Sequence, residues 1–296
     1  MDEVTLEKYR QAGRIAVEVR DWSVDLVKPG VKVLDLADQI EQRIIEKGGQ
    51  WAFPTNVCLN DVAAHYAPKQ NDESVVLKDD LVTIDLGVHI EGCIADTAHT
   101  IDLSGKYGNM INANKKALAA VIEEIKPGTS VQTLGEIVQS ILKEEGFKPI
   151  ENLTGHEVKE YDLHAGLSIP NIKVPYDWTI DEGMVLAIEP FATDGVGRVI
   201  ESQKAEIYSL LERKPTRIRE GRLLLKEIDS RQELPFAARW YAKKINPLRL
   251  NLALGELVKQ KILRSYPILH EKEGGKVSQF EHTVIVTEDG CEVTTE

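Results

Sequence analysis

A chain of 296 residues, 42% apolar and 28% charged, can bury a core without disulfide or metal staples and fits one large domain or a domain carrying an insert. Its 36 basic against 48 acidic residues exclude a general affinity for nucleic acid, although a local basic patch stays open. The three cysteines (Cys58, Cys93, Cys291) match no metal spacing, the start is polar and no apolar run nears 18 residues, which predicts a cytoplasmic protein without signal peptide or membrane span.

From the N-terminal end, a helical pattern closes at Val27-Lys28-Pro29-Gly30, where proline cannot continue a helix and glycine permits the turn. A second helix follows, with Val33, Leu36, Ile40 and Ile44 at helical spacing, and closes at Gly48-Gly49. Leu81-Val82-Thr83-Ile84-Asp85 reads as a strand, Glu91-Gly92 as a tight turn and Ile94-Ala95-Asp96-Thr97 as the returning strand. The pattern then repeats. Ile125-Lys126-Pro127-Gly128 stands 98 residues after its counterpart, and Val131, Leu134, Val138, Leu142 and Gly146 keep that offset. Val185-Leu186-Ala187-Ile188-Glu189 matches the first strand 104 residues on, which sets Glu189 at the place of Asp85. Phe280-Glu281-His282-Thr283-Val284 resembles Ala95-Asp96-Thr97-Ala98-His99, which sets Glu281 at the place of Asp96.

This is a duplicated half whose second hairpin is opened by a large insertion. The predicted domains are a catalytic one over 1–194 and 277–296 and an inserted one over 195–276. In the insert, Arg217 to Ile228, Leu234 to Ala242 and Leu248 to Leu263 read as helices, and Tyr266 to His270 with Gly274-Gly275 as a β-wing. Three helices and a wing resemble a winged-helix module, here in a packing role that shapes the site.

If Glu91-Gly92 forms a two-residue turn, Asp85 faces Ala98 and Asp96 faces Gly87. Side chains alternate along a strand, so the two carboxylates share a face as diagonal neighbours, roughly 7–8 Å apart at the backbone. That suits a pair of cations about 3.5–4 Å apart. With Glu189 and Glu281, four acids converge on a pseudo-twofold axis, where they could not stay ionised without cations. His156, in Leu153-Thr154-Gly155-His156, is the fifth candidate ligand and follows a glycine at which the backbone can turn sharply. Such an oxygen-rich set suits Mn²⁺, Fe²⁺ or Co²⁺, with Zn²⁺ as an alternative.

Thr83-Ile84-Asp85-Leu86-Gly87, Ala95-Asp96-Thr97-Ala98, Leu153-Thr154-Gly155-His156, Ala187-Ile188-Glu189-Pro190-Phe191 and Gln279-Phe280-Glu281-His282-Thr283 resemble, in order, the motifs of the methionine aminopeptidase family. Phe53-Pro54-Thr55-Asn56 and Ala64-His65-Tyr66 extend the likeness over nearly the whole chain. The insert and the missing N-terminal extension resemble the short type II form of archaea. The resemblance implies the α+β pita-bread fold, a curved antiparallel sheet with helices outside and metals in its concave centre. It implies that Asp85, Asp96 and Glu281 bind or bridge two divalent ions (Co, Mn, Fe or Zn), that His156 and Glu189 bind one of them, and that Glu189 also moves the proton.

His65 and His164 match the histidines that line the family's substrate site, where they would donate hydrogen bonds to the scissile carbonyl or peptide nitrogen. Phe53 and Phe191 are the first candidates for the wall of an apolar pocket, ahead of Leu163 and Tyr266. The implied activity is removal of the initiator methionine from nascent chains whose second residue is small. The implied partners are nascent N-termini, with the ribosome as a candidate neighbour, no specific nucleic acid, no membrane and a monomeric state. Cys93 stands where the family often has an aromatic residue. Two rivals share the fold: a non-catalytic binding relative, which would lack metal ligands, and a proline-directed or creatinase-like hydrolase, which usually carries a substantial N-terminal domain.

Overall fold

In the computed structural model, which describes residues 1–296, Asp2 caps the first helix by accepting the Thr5 N–H. Helix α1 (Glu3–Val24) and α2 (Val33–Glu46) are separated by Gly30 at φ +91°. The short strands β1 (Gln50–Trp51), β2 (Asn56–Leu59) and β3 (Val62–Ala64) lead to the long hairpin of β4 (Leu81–Ile90) and β5 (Cys93–Asp102). The second half follows as α3 (Gly108–Glu124), α4 (Val131–Glu144), β6 (Lys148–Pro149), β7 (Thr154–Val158), β8 (Ser168–Pro170), β9 (Val185–Ile188) and β10 (Phe191–Thr193). Then come β11 (Val199–Leu210), α5 (Arg219–Ile228), β12 (Phe236–Ala237), α6 (Pro247–Lys259) and β13 (Leu263–Glu271). The chain ends with β14 (Val277–Gln279), β15 (His282–Val286) and β16 (Cys291–Val293). No helix is long and apolar enough to cross a membrane.

The two halves share individual hydrogen bonds. Gly30 N–H donates to Val76 O as Gly128 N–H donates to Ile180 O, and Val33 N–H to Ser74 O as Val131 N–H to Trp178 O. Gln50 lies opposite His89 as Lys148 lies opposite Thr193. The hairpin strands correct one part of the sequence comparison. Gly87 faces Asp96, whereas Phe191, its mate, faces Gln279. The mate of Asp96 is therefore Gln279, and Glu281 takes the place of Ala98, two residues from where the acid-on-acid match set it. Two threonines make the same clasp across the axis. Thr100 Oγ1 accepts from Gln279 N–H and donates to Gln279 O, and Thr283 Oγ1 accepts from Asp96 N–H and donates to Asp96 O.

Both helix pairs cover the same side of the strands. Val82, Ile84, Leu86 and Val88 pack with Ala16, Val19, Leu36 and Ile40, while Leu186, Ile188 and Val284 pack with Ala117, Val121, Leu134 and Val138. Each fully buried aliphatic side chain stabilises the fold by about 1.5–3 kcal/mol, enough to fix which strand face turns inward. The polar positions of the same strands are thereby directed to the opposite, concave face.

The segment after β10 has its own apolar cluster, in which Phe236 packs with Leu224, Leu250, Leu254 and Leu257. The helix expected over Leu234 to Ala242 is instead β12 and a single 3-10 turn, Ala238–Tyr241, because Phe236 pairs with Tyr208 and is drawn under β11. Helix α6 stops at Lys259, where Lys261 takes φ +54° and the chain turns into β13. Strand β11, which the sequence reading does not anticipate, pairs with β13, and β13 pairs with β3 of the first half. A buried clamp adds to this seam. Glu41 accepts from Arg239, from Trp240 Nε1 at 2.8 Å and from Thr55 N–H at 3.2 Å, and the Trp240 ring lies tilted against Trp51 with centroids 4.7 Å apart.

Candidate metal centre

Glu91 at φ +48° and Gly92 at φ +94° make a tight primed turn, and the hairpin keeps one register from Leu81 opposite Asp102 to Ile90 opposite Cys93. Asp85 and Asp96 thus face the concave side together, as the alternation requires. The position opposite Asp96 is Gly87, where the Phe53 ring occupies the space a β-carbon would fill. Glu189 sits in the break between β9 and β10, beside Pro190, and Glu281 in the break between β14 and β15, where its N–H donates to Ala98 O at 3.0 Å.

His156 lies within β7 opposite Ala187; the corresponding pair in the first half is Cys58 opposite Thr83. Gly155 is not a sharp turn. It is a strand residue whose missing side chain lets the Ala187 carbonyl come close, which fixes β7 against β9 and His156 over the site.

His156 Nε2 stands 3.5 Å from Glu189 Oε1 and 3.8 Å from Asp96 Oδ2. Ligand atoms of Asp96, His156 and Glu281 all lie within 4.8 Å of one another. Asp85 Oδ1, Asp96 Oδ1 and Glu281 Oε1 are buried without any hydrogen-bond partner. An unpartnered buried carboxylate oxygen is costly, and three in one cavity are what a cation site requires.

Burial pushes the Asp85 carboxyl up to about 7. Burial, then the neighbouring carboxylates, push Asp96, Glu189 and Glu281 well above the usual carboxylate range. Burial holds the His156 imidazole down to about 4, so it is neutral and able to ligate. Divalent cations would offset the charge of the gathered carboxylates. The hard oxygen-rich set with one imidazole fits a divalent metal ion.

The cavity is also lined by Phe53, Leu163, Ile207, Pro235 and Tyr266. Tyr266 touches two histidines: the His65 ring meets it edge-on at 5.6 Å, and the His164 ring stacks at 6.0 Å. His65 has φ +65°, and its Nδ1–H donates to Pro267 O at 3.2 Å. Burial lowers its pKa, so the ring is neutral and Nε2 is an acceptor. His65 therefore suits a peptide N–H and not a carbonyl oxygen. Burial, and then the nearness of the His156 and His65 imidazoles, hold His164 well below the usual imidazole range, so it too is neutral.

Phe191 is not on this cavity. It is buried among Ala63, Ala64, Ile150 and Leu269. Five lining residues have no role in the sequence reading: Asn56, Ala64 and Gln279, which stand there only within motifs, and Ile207 and Pro235. Ile207 and Pro235 come from the segment after β10, with no local sign of their destination. Gln279 does have one: it lies two residues before Glu281, and its Nε2 donates to Glu189 Oε2 at 3.1 Å and Glu281 Oε2 at 3.2 Å. His282 points to the other face of the sheet, where it pairs with Thr295 Oγ1.

A model of metallopeptidase family M24 matches residues 7–288. A methionine aminopeptidase of Methanocaldococcus jannaschii is 46% identical over 290 residues, covering 98% of each chain. A methionine aminopeptidase of Archaeoglobus fulgidus is 44% identical over 296 residues, covering all of both chains. Among solved structures, a methionine aminopeptidase from Rickettsia prowazekii superposes with a TM-score of 0.73 at 23% identity, covering 100% of this chain and 98% of that one. A thermophilic Arx1 superposes with a TM-score of 0.88 at 17% identity, covering 99% and 91%. At such identities the structural likeness shows the fold alone.

Proposed function

The chain belongs to metallopeptidase family M24 and, within it, to the methionine aminopeptidases, and from that premise we propose that it removes the initiator methionine from nascent chains whose second residue is small. The observation that carries this reading is the trio of partnerless buried carboxylate oxygens beside an apolar recess. Asp85, Asp96 and Glu281 would hold or bridge two divalent ions, and His156 and Glu189 would complete the coordination of one. Bound cations there supply Lewis acidity, which makes water nucleophilic near neutral pH and polarises a carbonyl.

The protein's own groups supply the rest. Glu189 takes the proton from the attacking water and passes it to the leaving amine. His65 Nε2 accepts from the peptide N–H, which orients the scissile bond. His164, next to His156 with ring centroids 4.5 Å apart, donates to the carbonyl oxygen as charge develops. Phe53, Leu163 and Tyr266 enclose the methionine side chain, and Ile207 and Pro235 narrow the recess and restrict the size of the second residue.

Positions 195–276 act as a separate inserted subdomain that shapes this recess. They carry 18 basic and 10 acidic residues, whereas the remainder carries 18 basic and 38 acidic. A basic insert on an acidic body favours docking on a polyanionic surface such as the ribosome, where nascent N-termini emerge. A monomer in the cytoplasm fits these roles, and the three cysteines are unpaired, as a reducing compartment would leave them.

The experiment strips divalent ions with chelator and measures methionine released from Met-Ala-Ser after adding back Mn²⁺, Co²⁺, Fe²⁺ or Zn²⁺, with an Ala-Pro peptide as control. Metal-dependent release from Met-Ala-Ser alone is expected. A folded protein that releases nothing with any ion, or that cleaves Ala-Pro in preference, would sink the reading.

A further inference from the structure

Gln279 is 2% exposed and has no freedom at the backbone, because Thr100 Oγ1 holds both its N–H and its carbonyl. Across the pseudo-twofold axis the same clasp, made by Thr283, holds Asp96. One half of the molecule therefore offers a carboxylate at this position and the other an amide. The difference has an electrostatic reason. Two dications held here would be neutralised by Asp85, Asp96, Glu189 and Glu281. A fifth carboxylate at 279 would leave a net negative charge in a dry cavity and would repel the two glutamates it faces. An amide nitrogen carries two N–H donors and no charge. Both are used: Nε2 lies 3.1 Å from Glu189 Oε2 and 3.2 Å from Glu281 Oε2. The oxygens left over are Glu189 Oε1, which faces His156, and Glu281 Oε1, which has no partner at all.

We propose that Gln279 is the positioning residue of the metal centre: its amide pins one oxygen of Glu189 and one of Glu281, so that the other oxygen of each is presented to the cations. The proposal rests on the five-ligand reading of the site. Gln279 touches neither substrate nor cation in this role; it acts through the two carboxylates. Without its two hydrogen bonds both glutamates can rotate, and the site must be ordered at the moment the cation binds. Loss of such an outer partner typically weakens metal binding by about 10–100-fold.

The test titrates chelator-stripped protein with Co²⁺ by calorimetry and records the visible d–d absorption of the bound ion, which reports ligand arrangement independently of turnover. The variants are Gln279→Met, which keeps the length and removes both donors, and Gln279→Glu, which keeps the shape and replaces donors by acceptors. The expected result for Gln279→Met is Co²⁺ binding about 10–100-fold weaker, with a changed spectrum. Gln279→Glu is expected to change the spectrum and lower turnover, even where its added charge holds the first ion as tightly. A purely structural role would lower the melting temperature and leave the spectrum of bound cobalt alone, which would overturn the proposal. So would wild-type affinity and spectrum in Gln279→Met, or, where that variant does not fold, a wild-type spectrum and turnover in Gln279→Glu. Wild-type protein that binds no Co²⁺ would instead overturn the ligand reading itself, and this proposal with it.

Discussion

Replacing Arg239 by Met tests whether the seam with the segment after β10 is held by a buried charge pair. Glu41 is 3% exposed and Arg239 9%, so neither charge is screened by water. Burial pushes the Glu41 carboxyl above its usual range even with the guanidinium present, the Arg239 charge being the largest opposing influence. Removing one member of a buried pair destabilises by about 3–5 kcal/mol, because the other is left uncompensated. Here the lower end applies: Trp240 Nε1 and the Thr55 N–H still donate to Glu41, and protonation offers an escape. For a chain of this size about 3 kcal/mol lowers the melting temperature by roughly 5 °C. The double variant Glu41→Gln with Arg239→Met leaves neither member of this pair charged and should recover at least half of that loss. Thermal unfolding followed by circular dichroism, with chelator present throughout, measures the wild type, Arg239→Met, Glu41→Gln and the double variant. A shift under about 2 °C in Arg239→Met, or a double variant as unstable as the sum of the singles, would refute the reasoning. Since Arg231 also donates to Trp51 O, Ala52 O and Pro235 O, loosening this seam should raise KM for methionyl peptides more than it lowers kcat.

Other outcomes are as specific. Glu189→Gln should lower turnover of Met-Ala-Ser by about 10²–10⁴-fold in a protein with an unchanged circular dichroism spectrum, and near-normal activity would remove Glu189 from the proton path. Gly87→Ala puts a methyl into the Phe53 ring and should destabilise by about 1–3 kcal/mol while lowering kcat/KM; retained kcat/KM would show that Phe53 does not bound the recess. His99 is buried with both ring nitrogens unpartnered, and burial, then the Arg20 charge, hold it down to about 3. Its folded pKa lies below its unfolded one, so the unfolded chain binds the extra proton and stability is lost as pH falls below about 6.5. His99→Leu should therefore lessen the loss of stability between pH 7 and pH 5 by about 2 kcal/mol, and denaturant melts at both pH values would detect an unchanged loss.

The parts of the fold that were legible in the sequence are those set by local rules. Lys-Pro-Gly breaks, helical spacing and the Glu91-Gly92 turn place the helix pairs and the hairpin, and strand parity alone puts Asp85 and Asp96 on one face. What escapes depends on distant partners. Strand β11 carries Glu201, Lys204 and Glu206 and pairs with β13 through register shifts, so no period of two survives to announce it. Phe191 stands two residues beyond Glu189 but is turned into another cluster by the break at Pro190. Gln279 stays hidden when acid is aligned with acid, whereas the threonine clasps show that geometry pairs an acid with an amide.

The duplicated halves bear on one further property, the direction in which a peptide is read. A cavity with true twofold symmetry would present the same groups to a chain entering either way round and could not tell an amino end from a carboxyl end. Each departure from symmetry removes that ambiguity: His156 where the other half has Cys58, Gln279 where it has Asp96, Glu281 where it has Ala98. The segment that brings Ile207, Pro235 and Tyr266 to one side only makes the inequality spatial as well as chemical. Exopeptidase polarity is then a property of how the two copies came to differ, and making them alike again would erase it even if every cation stayed in place.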